Sequence, residues 1–512
     1  MKEKIRVRFA PSPTGPLHIG SLRTAFFNYL FAKKNNGKFI LRIDDTDKKR
    51  YIKKSINYIL DTFKWCNIKY NEGYNKKGKY GPYIQSKRLK IYKKYLKYLI
   101  KKKFVYYAYD NKKDILLYKK KNKNFLYNSI NREKLNNSIN KKNKKIKKKF
   151  VIRLKTPKNK NIIFNDKIYG KIKINTNELD DKIIFRSNNT PTYHFANVID
   201  DHLMKITHVI RGKEWIYSTP IQIILYNYLK WKIPNFIHLP LILNKKKGKI
   251  SKRFYKKKKN NLIIYPIKSK YKSIKINNSF EENGYLPESL LNIIFLLGYK
   301  NINKYEILNL KQMIKLFSIK NINKSNIYFN YKKASWINKK HIEKNKKILK
   351  NIIYLKLKKK IKKKFNKKIL KKIVNSIFNR LYFINIKNIW NVCYYFFKKP
   401  KKYIFNKKLK KTIINNKKKI IKFFLKIFFL FKKIKKNIYI KKFFNKLSLK
   451  NKKNFFFKLK ILRLSIIGSL KGIEIIKIIN FIKKKEIIKR IKYFIKNNKL
   501  LFTNTKFRKN II

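Results

Sequence analysis

The N-terminal segment changes its hydrophobic periodicity twice, which predicts a strand, a tight turn, a helix and a second strand. Apolar and polar positions alternate through IRVRFA (5–10), as in a buried strand, and the proline-rich turn PSPTGP (11–16) follows directly. Apolar residues then recur at helical spacing in GSLRTAFFNYLFAKKNNG (20–37), a helix that we expect Gly37 to cap. The stretch GKFILRIDDTD (37–47) predicts a second strand that ends in an acidic run.

The C-terminal third carries a different pattern. From residue 343 onward, apolar periodicity among many lysines predicts a helical region. Its most apolar stretch, FFLKIFFLF (423–431), is too short and too interrupted by lysine to cross a bilayer, so we expect an amphipathic helix. Residues 254–278 are rich in Lys and Asn, and we expect this insertion to be disordered.

Composition narrows the class of protein without identifying a partner. The 512 residues allow several domains, and 44% hydrophobic with 15% aromatic residues allows substantial cores. Lys and Arg number 137 against 23 acidic residues, a net charge of +114 that favours a polyanionic partner. The lysines accompany Ile, Asn, Phe and Tyr, a bias typical of low-G+C coding, so the charge alone indicates no particular ligand. Two cysteines exclude a disulfide framework and a four-cysteine zinc site, and the charged start favours the absence of a signal peptide.

The first turn has the features of a phosphate-binding site. Gly15 and Gly20 permit close approach of a ligand to the backbone, and the helix N-terminus offers free N–H groups. His18 lies where it could donate a hydrogen bond to a phosphoryl oxygen. Taken alone, a capped turn explains this pattern equally well, and the basic loop GKISKRF (248–254) has little meaning in so basic a chain.

Together, the two stretches are much more specific. PLHIG (16–20) and KISKR (249–253) resemble the paired signatures of class I aminoacyl-tRNA synthetases. Longer segments resemble bacterial-type glutamyl-tRNA synthetase, strongly over 1–342, patchily over 343–455 and again over 461–492. The segments that carry this resemblance include RFAPSPTGPLHIGSLRTAFFNYLFA, GPYIQSKRLKIY, PTYHFANVIDDHLMKITHVIRGKEWIYSTPIQIILY, HLPLILNKKKGKISKR, ENGYLPESLLNIIFLLGY and LRLSIIGSLKGIEIIKIINFI.

The resemblance implies roles for individual residues. His18 and Lys252 would be the catalytic residues, on either side of the ATP triphosphate. Arg8 would pair with the side-chain carboxylate of the substrate glutamate, and Asp44 would meet its α-ammonium. The implied ATP-binding residues are Gly15, His18, Gly20, Lys249, Ser251, Lys252 and Arg253. The implied glutamate-binding residues are Arg8, Ser12, Asp44, Tyr193, Asn197, Arg211 and Trp215.

The resemblance also implies an architecture, partners and a cofactor. We expect an α/β Rossmann-like catalytic domain with an inserted acceptor-stem-binding domain, followed by an all-α anticodon-binding region. ATP with Mg²⁺, L-glutamate and tRNA(Glu) are the expected ligands of a cytoplasmic monomer, and no metal site, zinc or membrane contact is expected. The implied boundaries are 1–105 and 189–253 for the two catalytic halves, 106–188 for the insertion, 254–342 for a stem-contact helical domain and 343–512 for the anticodon-binding region.

Other readings have weaker support. Asp44 stands where the glutamyl family usually carries glutamate and where the glutaminyl relatives carry aspartate, which favours glutaminyl-tRNA synthetase. Those relatives typically end in β-barrels, whereas this C-terminal region has helical periodicity. A basic RNA-binding relative with an inactive site conflicts with the intact His18, Gly20 and Lys252. A membrane-active polycation would not need the long PTYHFANVIDDH segment.

Overall fold

A computed structural model gives the architecture. It describes residues 4–110, 112–121, 125–127, 131–132, 150–244, 248–249, 263–276, 278–300, 306–361, 366–378, 389–400, 403–404, 407–433, 452–470 and 473–498. The chain divides into two compact units, residues 1–341 and 342–512.

The first unit contains three sheets. Its strands are β1 (Arg6–Phe9), β2 (Lys38–Leu41), β3 (Glu72–Gly73), β4 (Val105–Ala108), β5 (Val151–Leu154), β6 (Asn161–Asp166), β7 (Gly170–Asn175), β8 (Ile183–Phe185), β9 (His208–Gly212), β10 (Asn235–Leu239), β11 (Ile242–Asn244), β12 (Gly248–Lys249) and β13 (Ile327–Tyr328). The main sheet has the order β3-β2-β1-β9-β10-β6-β7, and two three-stranded sheets have the orders β12-β11-β13 and β4-β5-β8.

The main sheet is mostly parallel. Strands β3, β2, β1, β9, β10 and β6 pair in parallel, and only the terminal β6–β7 pair is antiparallel. The β6–β7 hairpin lies in the stretch expected to form the inserted domain, yet it extends the main sheet through the pair Phe236–Asp166. Strand β1 is an interior strand, with β2 on one side and β9 on the other, and parallel folds bind ligands at the carboxyl ends of such strands.

The helices of the first unit cover the parallel sheet and complete its core. They are α1 (Ile19–Lys34), α2 (Ser55–Trp65), α3 (Leu89–Lys101), α4 (Lys112–Lys121), α5 (Tyr193–Leu203), α6 (Thr219–Tyr228), α7 (Pro287–Leu296), α8 (Leu310–Leu316) and α9 (Tyr331–Lys344), the last of which crosses the unit boundary. Helix α1 contributes Leu22, Phe26 and Leu30 to the largest hydrophobic cluster, where all three are fully buried. This packing holds the N-terminus of α1 against the ends of the central strands.

All the regular secondary structure described in the second unit is helical. Its helices are α10 (Lys346–Ile361), α11 (Lys367–Phe378), α12 (Ile389–Cys393), α13 (Lys407–Asn415), α14 (Lys417–Lys433), α15 (Lys452–Ile467), α16 (Ile475–Ile479) and α17 (Lys484–Asn497). Helix α14 contains the predicted amphipathic stretch and buries Phe424 and Ile427 while Phe429 stays exposed. No helix in the described ranges is long and apolar enough to cross a membrane. The predicted class, a Rossmann-like α/β domain followed by an all-α region, is confirmed.

The end of α1 differs from the prediction. The helix ends at Lys34, and Asn36 takes the left-handed position with φ 50°. The Gly37 N–H donates to the Ala32 carbonyl at 2.8 Å, so Gly37 lies one position beyond the left-handed residue. The expected glycine cap is therefore wrong. Glycine is needed at 37 because a Cβ there would lie 2.4 Å from the carbonyl oxygen of Ile5.

The expected disorder of 254–278 is wrong for residues 263–276. Ile264 and Ile267 are buried in the largest core cluster, and the Ile264 carbonyl accepts a hydrogen bond from the N–H of Ile19 at 2.9 Å. Isoleucines spaced through a lysine-rich stretch supply enough apolar surface to anchor it against α1. The other residues of that stretch, 254–262 and 277, lie outside the described residues.

Substituting Gly37→Ala should lower the free energy of unfolding by about 2–3 kcal/mol, because the new Cβ overpacks the Ile5 carbonyl between α1 and β2. Chemical denaturation of the purified protein measures the change. Gly81→Ala is the control, since its Cβ would lie no nearer than 3.5 Å to its neighbours. Equal losses in the two variants would contradict the close-approach explanation.

Candidate active site

A cavity of about 380 Å³ opens where the central parallel strands end. Residues at the carboxyl ends of β1, β9 and β10 line it, together with the PSPTGP turn and the first turns of α1. The structure brings the following predicted site residues together in its wall: Arg8, Ser12, Gly15, His18, Gly20, Tyr193, Arg211 and Trp215. The wall therefore combines the α1 N-terminus with two buried arginines and two aromatic rings.

His18 is the N-cap of α1, and its ring has a defined tautomer. Its Nδ1 accepts hydrogen bonds from the backbone N–H of Gly20 at 3.0 Å and of Ser21 at 3.4 Å. A backbone N–H can only donate, so Nδ1 carries no hydrogen and the neutral ring holds its proton on Nε2. Nε2 lies 3.3 Å from Oγ of Ser21, so this donor is held beside a helix N-terminus, whose partial positive charge stabilises phosphate groups.

Arg8 is held by an aspartate that the sequence analysis did not single out. Its Nε and Nη2 donate to the two carboxylate oxygens of Asp201, each at 3.0 Å, and both side chains are buried. Burial alone would raise the pKa of Asp201, but Arg8 and Arg42 together lower it below its usual value. The bidentate pair fixes the plane of the guanidinium and leaves Nη1 uncommitted to Asp201.

A buried network of ion pairs continues from this pair. Arg42 bonds Asp44 at 2.8 Å and Asp201 at 2.7 Å, and Arg88 bonds Asp200 at 2.7 Å. Burial raises the pKa of Asp44 to about 6, although the neighbouring Arg42 acts in the opposite direction. The network joins β2, α5 and the turn before α3 behind the cavity wall.

Two predicted glutamate-binding residues belong to this network and do not line the cavity. Asp44 directs both carboxylate oxygens towards Arg42. Asn197, in the amide orientation that satisfies both partners, donates to Asp201 at 3.0 Å and accepts from Arg42 at 2.8 Å. In this structure, Asp44 and Asn197 therefore support the arginines rather than form the cavity wall.

Arg211 is buried like Arg8 but has a different environment. Its Nε donates to Nε2 of His238 at 3.0 Å, its Nη1 to Gln222 at 2.8 Å and its Nη2 to Thr219 at 2.9 Å. These acceptors are neutral, and burial lowers the pKa of Arg211 from its ordinary value. Tyr193 also interacts with this guanidinium. A positive charge therefore lies at the cavity wall without an ion-pair partner among the described residues.

Aromatic side chains complete that end of the cavity. The rings of Tyr193 and Trp215 have centroids 4.3 Å apart. Burial raises the pKa of the Tyr193 hydroxyl, which therefore stays a neutral donor. The two rings thus line the cavity together with Arg211, with which Tyr193 interacts.

The second signature is only partly described. Lys249 lies in β12, where its backbone pairs with Leu243 of β11. Ser251, Lys252 and Arg253 lie outside the described residues. Strands β10 and β11 thus connect residues that line the cavity with the segment predicted to contact ATP.

Sequence reasoning missed the residues that hold the arginines in place. The signal for Asp200 and Asp201 was present, since two adjacent acids in VIDDH interrupt an otherwise buried helix. Arg42 and His238 gave no local signal of their own. Asp201 lies 159 positions from Arg42, and Arg211 lies 27 from His238, so only the assembled sheet brings these pairs together.

Comparison with known families agrees with this geometry. The family model described as "tRNA synthetases class I (E and Q), catalytic domain" matches residues 4–336, and the model described as "Anticodon binding domain" matches residues 329–495. A glutamate–tRNA ligase of Azobacteroides pseudotrichonymphae is 42% identical over 352 residues, covering 67% of this chain and 69% of its own length. The chain belongs to the glutamate–tRNA ligase family.

Further members and solved structures extend the match over the whole chain. The glutamate–tRNA ligase of Bacteroides thetaiotaomicron is 36% identical over 404 residues, covering 77% of this chain and 79% of its own. The crystal structure of a glutamate tRNA ligase from Elizabethkingia meningosepticum, in complex with its amino acid, superposes with a TM-score of 0.77 at 34% identity. That superposition covers 98% of this chain and 100% of the other. The likeness includes the helical C-terminal region.

Substituting Gly20→Ala should impair amino-acid activation without unfolding the protein. The new Cβ would lie 2.9 Å from Cε1 of His18, so the ring must rotate away from the helix N-terminus. Because the ring is a mobile side chain and α1 tolerates alanine, we expect an unchanged melting temperature and about a tenfold lower kcat for ATP–pyrophosphate exchange.

Asn35→Ala at the other end of α1 is the control for general effects on the helix. A Gly20→Ala variant with wild-type exchange activity would contradict the assigned position of His18.

Proposed function

We propose that the protein activates L-glutamate with ATP and transfers it to the 3′ end of tRNA(Glu). The observation that carries this proposal is that one cavity is lined both by the α1 N-terminus and by two buried arginines. The α1 N-terminus with His18 suits phosphate, and the buried arginines suit a carboxylate side chain. Family membership supports the same reaction.

The chemistry has two steps. The α-carboxylate of glutamate attacks the α-phosphorus of ATP, which forms glutamyl-adenylate and releases pyrophosphate. A ribose hydroxyl at the tRNA 3′ end then attacks the carbonyl carbon of the mixed anhydride, and AMP leaves. Both steps depend on positioning and on stabilising phosphate charge, so no nucleophilic side chain is required.

His18 and Lys252 would act on the phosphate charge that develops during activation. The donor on His18 Nε2 lies at the helix end, and Lys252 would approach from the loop after β12. Gly15 and Gly20 would admit the nucleotide, and the cations Lys249 and Arg253 would assist, with Ser251 between them. At the other end, Arg8 and Arg211 would bind the glutamate side chain beside Ser12, Tyr193 and Trp215.

Mg²⁺ would accompany ATP. Among the residues that the structure describes, no group of three or more His, Cys, Asp or Glu side chains is placed to hold a metal ion. The triphosphate oxygens and water would therefore supply most of its ligands, and the ion would neutralise the charge of the leaving pyrophosphate. We further propose a cytoplasmic monomer.

The remaining segments would bind tRNA. Residues 106–188 would contact the acceptor stem, 254–342 the inner part of the tRNA and 343–512 the anticodon, while 1–105 and 189–253 form the catalytic halves. The match of an anticodon-binding family model to 329–495 supports the last of these assignments. The lysine excess would add attraction to the tRNA backbone.

Substituting Lys252→Ala should lower kcat for glutamate-dependent ATP–pyrophosphate exchange by about a hundredfold, with less than about a threefold change in KM for glutamate. The lysine would contact phosphate charge in the transition state, so its loss would affect the chemical step more than amino-acid binding. Exchange is measured with tRNA(Glu) present. Lys258→Ala, in the same basic stretch, is the matched control, and unchanged turnover in Lys252→Ala would exclude this role.

Substituting Arg8→Gln should reduce kcat/KM for glutamate by at least about a hundredfold and shrink the preference for glutamate over glutamine, because a charged hydrogen bond in a dry pocket is lost. Charging with labelled glutamate and glutamine measures both values. Arg6→Gln is the control from the same strand, since Arg6 pairs with Glu72 and does not line the cavity. Full selectivity in Arg8→Gln would show that the pocket assignment is wrong.

A further inference from the structure

A hydrogen-bonded chain crosses three neighbouring strands of the main sheet and ends at the cavity. It links Asp166 at the end of β6, His238 in β10 and Arg211 in β9. His238 Nδ1 lies 2.8 Å from Oδ2 of Asp166, and His238 Nε2 accepts from Nε of Arg211 at 3.0 Å. Arg211 and His238 are direct register partners on adjacent strands, so the backbone itself fixes this approach.

The direction of each hydrogen bond is determined by the chemistry of its partners. An arginine Nε can only donate, so Nε2 of His238 must be the acceptor and carries no hydrogen. The ring hydrogen is then on Nδ1 and points to Asp166. The same carboxylate accepts from the backbone N–H groups of His238, Ile168 and Tyr169, which hold it in place. His238 is fully buried, and burial lowers its pKa, so the neutral ring persists.

The two cavity arginines differ in how their charge is balanced. Arg8 shares both carboxylate oxygens of Asp201. Arg211 forms no ion pair within the described residues, and its bonded partners His238, Gln222, Thr219 and Tyr193 are all neutral. Asp201 also acts on Arg211 electrostatically, but its carboxylate is bonded to Arg8 and Arg42, and Asp166 reaches Arg211 through the intervening imidazole. The charge of Arg211 thus stays available to an anionic ligand in the cavity, while its orientation is fixed from behind.

We propose that Asp166 and His238 are positioning residues that orient Arg211 to bind the carboxylate of the amino-acid substrate. The proposal rests on the proposed function, because it takes the cavity ligand to be glutamate. His238 supplies the neutral acceptor that fixes the guanidinium, and Asp166 fixes the tautomer that makes this acceptor available. Because His238 is a neutral acceptor, it fixes the guanidinium without balancing its charge.

Two substitutions of His238 separate positioning from packing. In His238→Gln, the amide oxygen can replace Nε2 and still accept from Arg211. In His238→Asn, the shorter amide can replace Nδ1 and still donate to Asp166 but leaves Arg211 without its acceptor. We expect His238→Asn to raise KM for glutamate about tenfold and His238→Gln less than about threefold, with KM for ATP unchanged in both.

A third variant tests the other end of the chain. Asp166→Asn removes the anion that fixes the His238 tautomer, and we expect KM for glutamate to rise between about threefold and tenfold while KM for ATP stays constant. The control is His202→Gln, whose ring stacks on Trp231 with centroids 3.8 Å apart and does not line the cavity. It should leave both constants within about twofold, the ordinary range for a change away from the site.

All variants are assayed as full chains by ATP–pyrophosphate exchange with tRNA(Glu), and their melting temperatures are recorded. If His238→Asn does not fold, His238→Gln and Asp166→Asn carry the test by the same comparison of the two KM values. Equal rises in KM for glutamate and ATP, or no rise in any of these variants, would overturn the positioning role. A wild-type protein that does not activate glutamate would instead overturn the proposed function, so the two failures are distinguishable.

Discussion

The buried ion-pair network behind the cavity is the constraint on which the catalytic unit depends. Three arginines and three aspartates (Arg8, Arg42, Arg88, Asp44, Asp200 and Asp201) are almost completely excluded from solvent. Removing such charges from water costs several kcal/mol per ion unless each is paired and hydrogen-bonded. The formal charges cancel, and the pairs join β1, β2, α5 and the turn before α3. Because a single missing partner would leave a buried charge, the network permits only one arrangement of these elements.

This arrangement determines the chemistry at the cavity wall. Asp201 fixes the plane of the Arg8 guanidinium, and Arg42 bonds to the same carboxylate. The arginine predicted to meet the substrate is therefore positioned before any ligand arrives, which reduces the entropy lost on binding. At the opposite end, His18 is fixed by backbone N–H groups of the helix that it caps. The cavity wall thus presents preorganised hydrogen-bond donors, which we propose bind a carboxylate and phosphate.

The register of the parallel sheet fixes which residues lie beside Arg211 at the cavity. Arg211 and His238 face each other because β9 and β10 pair without a shift, and Asp166 reaches the same row from β6. Strand β6 belongs to a hairpin far upstream of β9 in the chain. The main sheet therefore includes a contribution from the segment between the catalytic halves. A change in the pairing of that hairpin would displace Asp166 and, through the imidazole of His238, the guanidinium of Arg211.

The sequence by itself determined the local elements and many of the residues that line the cavity. Alternation in IRVRFA, the PSPTGP turn and the helical run after His18 gave β1, the turn and α1, because each follows from short-range periodicity and turn chemistry. Long segments resembling one family supplied residues such as Arg8, Tyr193 and Arg211 that the structure gathers in one cavity. The sequence also indicated a helical C-terminal region, since apolar periodicity persists there despite the lysines.

Only the tertiary structure decided how those residues are held. Asp201 lies 193 positions from Arg8, and Asp166 lies 72 from His238, so no local pattern could pair them. Asp44 and Asn197 have the residue types expected of pocket residues, yet the demand for paired buried charges turns them towards Arg42. The requirement for glycine at position 37 likewise comes from the nearby carbonyl of Ile5 rather than from the preceding helix. Hydrogen bonds and buried charges are satisfied by whichever partner the fold brings near, and that choice exists only once the sheet has formed.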